Sequence, residues 1–184
     1  MDTKQSKRHA PGFTLVELMM TLALVAIIVS LAAPPLRELV INNRAQSSAD
    51  ELLSMMQYTR SEAIKRNTAV TACKVDPDDS EACSSDAADG WHQGLLVFID
   101  ADADSVVEDP AQILQAREAM GGDLSVSANA DSVTYRPNGA SANGADFSVC
   151  TPDGDKDKSR NIAISATGRP RLYKGSVGSL CPDV

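Results

Sequence analysis

The chain has 184 residues and a net charge of −8, with 43% hydrophobic and 23% charged residues, proportions that exclude global disorder. Its slightly negative mean hydropathy excludes a polytopic membrane protein, and the acidic balance excludes a body coated in nucleic acid while leaving room for a local basic patch. Two histidines leave little material for metal or triad chemistry, and four cysteines suit two staples rather than a disulfide scaffold.

The chain opens on a basic leader, residues 1–12, carrying Lys4, Lys7 and Arg8 against Asp2. Phe13 to Ala33 is then an apolar run of 21 residues whose only polar members are Thr14, Glu17, Thr21 and Ser30. As a helix it would be roughly 31 Å long, about one bilayer core. The positive flank predicts a cytoplasmic leader, with residues 34–184 on the opposite side. Without the leader, 14 bases face 24 acids, a net −10. A secretory signal peptide is the competing expectation; the length of the run and the lack of a convincing Ala-x-Ala site before Pro34-Pro35 oppose it.

Gly12-Phe13-Thr14-Leu15-Val16-Glu17-Leu18-Met19 resembles the processing site of type IV pilins and type II secretion pseudopilins. The resemblance implies that a prepilin peptidase cleaves after Gly12 and methylates the new amino terminus at Phe13. It also implies that Glu17 is the assembly glutamate. Physics gives Glu17 a similar part independently. A carboxylate inside an apolar span costs about 2–3 kcal/mol and is normally paired. Glu17 lies one helical turn from Phe13, within reach of the freed ammonium of a neighbouring subunit.

Pro34-Pro35 predicts a bend near Ala33 to Pro35. The helical pattern then resumes, first as a patch of Leu36, Leu39 and Val40. A stripe of Ala49, Leu52, Leu53, Met56, Ala63 and Ile64 follows at i, i+3, i+4, i+7 spacing and reads as the face that packs on a sheet. Arg44, Asp50, Glu51, Arg60, Glu62, Lys65 and Arg66 decorate the rest, with Glu62 four residues before Arg66. Asn67 ends the element, which therefore spans about 13–66.

Beyond Asn67 the period becomes two. Strands are predicted at Ala69 to Lys74, Gly94 to Ile99, Ile113 to Ala116, Leu124 to Ser127, Val133 to Arg136, Phe147 to Cys150, Ile162 to Ser165, and Leu172 to Tyr173. The acidic, small-residue stretch from Asp76 to Asp89 reads as a mobile loop. The fold class is α+β and type IV pilin-like: a long kinked N-terminal helix, its apolar half transmembrane, packed on a small antiparallel β-sheet domain. Taken with the resemblance, the pattern implies a cleaved leader (1–12), a transmembrane and filament-core half-helix (13–33), an amphipathic half-helix (34–66) and a periplasmic β domain (67–184).

Three further stretches resemble the GspH/FimT family: Met56-Gln57-Tyr58-Thr59-Arg60-Ser61-Glu62-Ala63; Gly90-Trp91-His92-Gln93-Gly94-Leu95-Leu96-Val97-Phe98-Ile99-Asp100 with Ile113-Leu114; and Phe147 to Cys150 with Thr167-Gly168-Arg169-Pro170-Arg171. The resemblance implies a minor pilin or minor pseudopilin with a pair of small sheets. The extended acidic loop carrying Cys83 departs from the pattern.

Cys73, Cys83, Cys150 and Cys181 fit an oxidising compartment; four cysteines allow three connectivities, and local pairing is preferred. A cysteine metal site is disfavoured, since there is no Cys-x-x-Cys and His92 is the one histidine after the leader. Asp100-Ala-Asp-Ala-Asp104 invites a calcium reading, but Ser105 and Ala111 stand where an EF-hand-type loop wants Gly and Glu, so a solvated hairpin rim is expected. No metal or other cofactor, and no catalytic constellation, is expected.

Between Lys156 and Lys174 six bases (Lys156, Lys158, Arg160, Arg169, Arg171, Lys174) face one acid, Asp157. Some FimT-type minor pilins use a Gly-Arg-x-Arg element of this kind to capture DNA. The resemblance implies that role for Arg169 and Arg171, with Lys174 and Arg160 as supports. The alternative is that these residues pair with carboxylates of neighbouring subunits or of this acidic domain. The sequence thus predicts a non-enzymatic inner-membrane subunit that primes or caps a type IV pilus. Its alternatives are a type II secretion pseudopilin and a DNA-binding minor pilin of natural transformation. Its expected partners are the prepilin peptidase, other pilins or pseudopilins, the inner membrane before assembly, and DNA through the basic cluster.

Overall fold

A computed structural model describes residues 12–121, 123–176 and 178–182, and for residues 31–34 the backbone alone. The leader residues Asp2, Lys4, Lys7 and Arg8 lie outside the described residues. One helix, α1 (Leu15–Arg66), is followed by eight strands: β1 (Val70–Lys74), β2 (Leu95–Ile99), β3 (Ile113–Arg117), β4 (Ser125–Ala128), β5 (Ser132–Tyr135), β6 (Ala145–Cys150), β7 (Arg160–Ile164) and β8 (Pro170–Lys174). The chain divides into two compact units at Val40 and Ile41.

In the first unit every described side chain from Gly12 to Val40 is exposed. Thr14 caps the helix: its hydroxyl accepts from the Glu17 N–H at 3.2 Å, and its carbonyl accepts from the Leu18 N–H at 3.1 Å. Thr14 and Glu17 have the spacing of a capping box, and an acid in the first turn suits the helix dipole. Pro34 and Pro35 both fall within the helix.

In the second unit, Ala45, Ala49, Leu52, Met56 and Ala63 of α1 are wholly buried. Ile64, expected on that face, is instead half exposed. The helix ends because Asn67 turns left-handed, at φ 53°, a conformation that asparagine tolerates better than most residues. Glu62 is buried beside the last turn and accepts from Arg66 at 2.6 Å and Lys65 at 3.3 Å. Those bonds, Arg66 foremost, hold its carboxyl below the usual carboxylate range against the effect of burial.

The strands form two four-stranded antiparallel sheets, in the orders β3-β2-β1-β5 and β4-β6-β7-β8. The chain therefore crosses to the second sheet for β4, returns for β5, and crosses again for β6. One core joins α1 to the inner faces of both sheets, through Val70, Val97 and Val133 of the first and Val126, Phe147 and Ile162 of the second. Trp91 anchors the crossing. Its ring meets Phe147 edge-on, with centroids 4.9 Å apart, and its Nε1–H donates to Ala130 O at 2.9 Å in the β4–β5 turn.

A smaller cluster of Leu96, Phe98 and Cys73 covers the opposite face of the first sheet, with Val75, Cys83, Val107 and Ile113 packed on it. Two buried faces explain why Leu95–Ile99 is an unbroken apolar run. The acidic loop is the lid on that face, and it is tied down rather than free. A disulfide joins Cys73 to Cys83, and the buried Lys74 ammonium donates to Asp86 O at 2.5 Å and Asp89 O at 3.1 Å while pairing with Asp131 at 2.8 Å. The second disulfide, Cys150–Cys181, ties the tail to β6.

Two glycines lock the loops beside the helix end. Gly139 lies at φ 76°, and a Cβ there would sit 2.8 Å from Ile64 Cδ1. Gly168 lies at φ 73°, and a Cβ there would sit 2.0 Å from Gly139 O. The β5–β6 and β7–β8 loops thus stack directly on one another and on α1. The Gly175 N–H bonds Ser159 O at 3.3 Å, which makes Ser159 and Gly175 a hydrogen-bonded pair. By alternation the Ile164–Pro170 pair is non-bonded, so Pro170 stands where an amide would point off the outer edge of the second sheet.

Three outcomes follow from this packing. Trp91→Ala should cost about 3–5 kcal/mol in denaturant unfolding, because both the ring packing and the β4–β5 bond are lost. Gly168→Ala should cost about 2 kcal/mol or more, through left-handed strain and collision with Gly139 O. In the β6–β7 loop, Asp153 accepts from Lys158 at 2.7 Å and Thr151 at 2.6 Å, and Lys158 leads in holding its pKa down to about 2. Its stabilisation is present above the unfolded carboxyl value of about 3.9 and is lost as pH falls towards 2. An NMR titration of the carboxyl should show that midpoint, and Lys158→Ala should raise it.

Candidate functional site

Two places carry the residues singled out by the sequence. The first is the start of α1. Gly12 has open space around its Cα, and nothing there within 4 Å restricts a larger side chain, so no packing in this structure demands glycine at that position. Phe13 is 83% exposed. Glu17 makes no ion pair or side-chain hydrogen bond with any described residue.

The second is a cleft of about 340 Å³ between the end of α1 and the start of β8, lined by Gln57, Arg60, Ser61 and Ile64 of the helix, by Arg169 just before the strand, and by Pro170 and Arg171 within it. No acidic residue lines it. Gly168 turns the chain into β8, and strand alternation sets Arg169 and Arg171 on one face with Pro170 on the other. Both arginines are exposed, and their side chains bond to no described residue. Arg60 donates its Nε–H to Gly139 O at 2.8 Å, and its remaining guanidinium nitrogens bond to no described residue. Tyr135 is wholly buried close by, its hydroxyl without a partner; burial pushes its pKa well up, opposed in part by the Arg60 charge.

The other two expected supports are not brought to this cleft. Arg160 is buried and committed inside the fold: Nε donates to Gln46 Oε1 at 2.7 Å, and Nη1 donates to Lys158 O at 2.6 Å and Ser159 O at 3.3 Å. This corrects the expectation of a phosphate contact there. Lys174 is exposed but pairs in register with Arg160, on the strand face opposite Arg171. In their place the structure adds Arg60, one of the charged residues that decorate α1 beside its apolar stripe. A signal was present, since Gln57, Arg60, Ser61 and Ile64 recur at i, i+3, i+4, i+7 beside the core stripe.

At Asp100, Asp102 and Asp104 the carboxylates come within 4.8 Å of one another. The buried Asp100 already accepts from the Thr71 hydroxyl at 2.6 Å and from the amides of Asp104 and Ser105 at 3.1 and 3.0 Å. It organises the loop, in which Ala103 and Ser105 adopt positive φ.

Comparison with known proteins agrees with this architecture. The family described as type II transport protein GspH matches residues 48–168, and the prokaryotic N-terminal methylation motif matches residues 7–33. The type IV minor pilin FimU of Pseudomonas aeruginosa PAO1 is similar in two crystal forms. One is 24% identical, with TM-score 0.58 over 71% of this chain and 89% of that one. The other is 26% identical, with TM-score 0.53 over 70% and 91%. The minor pseudopilin EpsH of the Vibrio cholerae type 2 secretion system is 14% identical, with TM-score 0.51 over 71% and 97%. No curated protein matches the chain. An N-terminal methylation motif on a long apolar helix, followed by a two-sheet domain that matches over two thirds of the chain, shows that it belongs to the GspH family of minor pilins and pseudopilins.

Proposed function

We propose that this chain is a non-enzymatic minor pilin that primes or caps a type IV pilus. A prepilin peptidase releases residues 1–12 and methylates Phe13; residues 13–33 hold the protein in the inner membrane, with residues 34–66 and the β domain of 67–184 on the periplasmic side. Assembly moves the helix from lipid into a filament core. The observation that carries this reading is the first unit itself, whose described side chains are all exposed and, from Leu15 to Val29, overwhelmingly apolar. Such a surface needs lipid or other helices around it. Glu17, which pairs with no described residue, is suited to take the methylated ammonium of a neighbour and so to set helix register.

The pilus is favoured over secretion because identity to the FimU minor pilin, 24–26%, exceeds the 14% to the EpsH pseudopilin. A second reading, DNA capture through Arg169 and Arg171, is favoured by their exposure and by the lack of any bond from their side chains to a described residue.

Co-expression with a prepilin peptidase should yield a protein that begins at Phe13 with one added methyl group by mass spectrometry. Gly12→Val should block that maturation. Glu17→Ala should leave processing intact and lower recovery in sheared filaments about tenfold or more; normal recovery would remove Glu17 from assembly. In a strain lacking the chain, its return should restore piliation, whereas restored protein secretion alone would overturn the pilus assignment.

A further inference from the structure

We infer that Arg60, on the helix, is the third arginine of a built oxyanion site, and that the cleft it shares with Arg169 and Arg171 seats a phosphodiester group of a nucleic-acid strand. This rests on the DNA-capture reading and extends it from the strand to the helix. The first support is charge sorting. On a chain of net charge −8, this cleft is lined by three arginines and no acid, so every ionisable residue in its lining is cationic.

The second support is preorganisation. Arg60 is anchored through one N–H to Gly139 O, so its guanidinium is held in place while the remaining N–H groups bond to no described residue. A planar guanidinium fixed in this way loses less freedom when it takes an oxyanion, and its geometry suits phosphate. The glycine stack belongs to the same device. Gly168 against Gly139, and Gly139 against Ile64 and Arg60, set the distance between helix and strand and allow no side chain between them. Gln57 and Ser61 line the same cleft with polar groups, and Ile64 and Pro170 add apolar lining beside the charges.

A carboxylate of another filament subunit is the competing occupant. Phosphate is favoured because Arg169 and Arg171 alternate at the start of an edge strand, an arrangement that follows a backbone rather than one side chain.

The test uses the full-length protein in an uncharged detergent, titrated with a fluorescein-labelled duplex DNA from low to physiological salt. Arg60→Gln should weaken binding about tenfold, and it should reduce the slope of log affinity against log salt by about 0.9, the loss of one phosphate contact. A residue that only braces Gly139 would change the melting temperature and leave that slope intact. Unchanged affinity and slope in Arg60→Gln, with binding lost in the Arg169→Ala, Arg171→Ala variant, would overturn the role of Arg60 alone. No binding by the unaltered protein at low salt would overturn DNA capture and this assignment together. Should Arg60→Gln fail to fold, phenylglyoxal labelling of the unaltered protein decides. DNA should shield Arg60 but leave the exposed Arg44 reactive, and equal labelling of Arg60 with and without DNA would overturn the assignment.

Discussion

Burial of one stripe of α1 is the constraint on which the second unit depends. Neither four-stranded sheet closes on itself, and each has an inner face that must leave water. Ala45, Ala49, Leu52, Met56 and Ala63 cover both at once. The alanines let the strands come close, and Leu52 and Met56 fill the space between. Each large side chain fully buried there contributes about 1.5–3 kcal/mol. Trp91 closes the seam where the chain passes between sheets. The rotation of α1 that buries this stripe also decides what its flank presents, and so it carries Gln57, Arg60, Ser61 and Ile64 to the start of β8.

Much of this was legible along the chain. The helix ends at Asn67 as its left-handed tolerance predicts, and all eight strands lie within two residues of the segments read from period-two patterning. The local disulfides, Cys73–Cys83 and Cys150–Cys181, are the preferred pairing. Sheet membership was not legible, because β4 and β5 are adjacent in sequence yet belong to different sheets. Nothing local to a four-residue strand states its partner. The acidic loop misled for a similar reason: its composition suggests a free loop, while its anchors are Cys73 and Lys74 on β1, outside the loop itself.

The arginines show how strand geometry sorts like charges. Arg160 and Arg171 belong to the same basic stretch of sequence. Arg160 shares a face with Ile162 and Ile164, which point into the core, so its guanidinium is drawn inward to Gln46 and two carbonyls. Arg171 opposes Ala163, on the other face. Counting by two from Ile162 separates them. Arg60 is harder to find, since it reaches the cleft only through contacts with residues 79 and more positions away.

Pro170 has a consequence for how such subunits associate. An exposed outer strand invites another strand to pair with it. Pro170 removes one amide from the outer edge of β8, and Arg169, Arg171 and Lys174 surround it with like charge. Two copies brought edge to edge would find a missing hydrogen bond and mutual repulsion. Lateral sheet-to-sheet pairing through this edge is disfavoured.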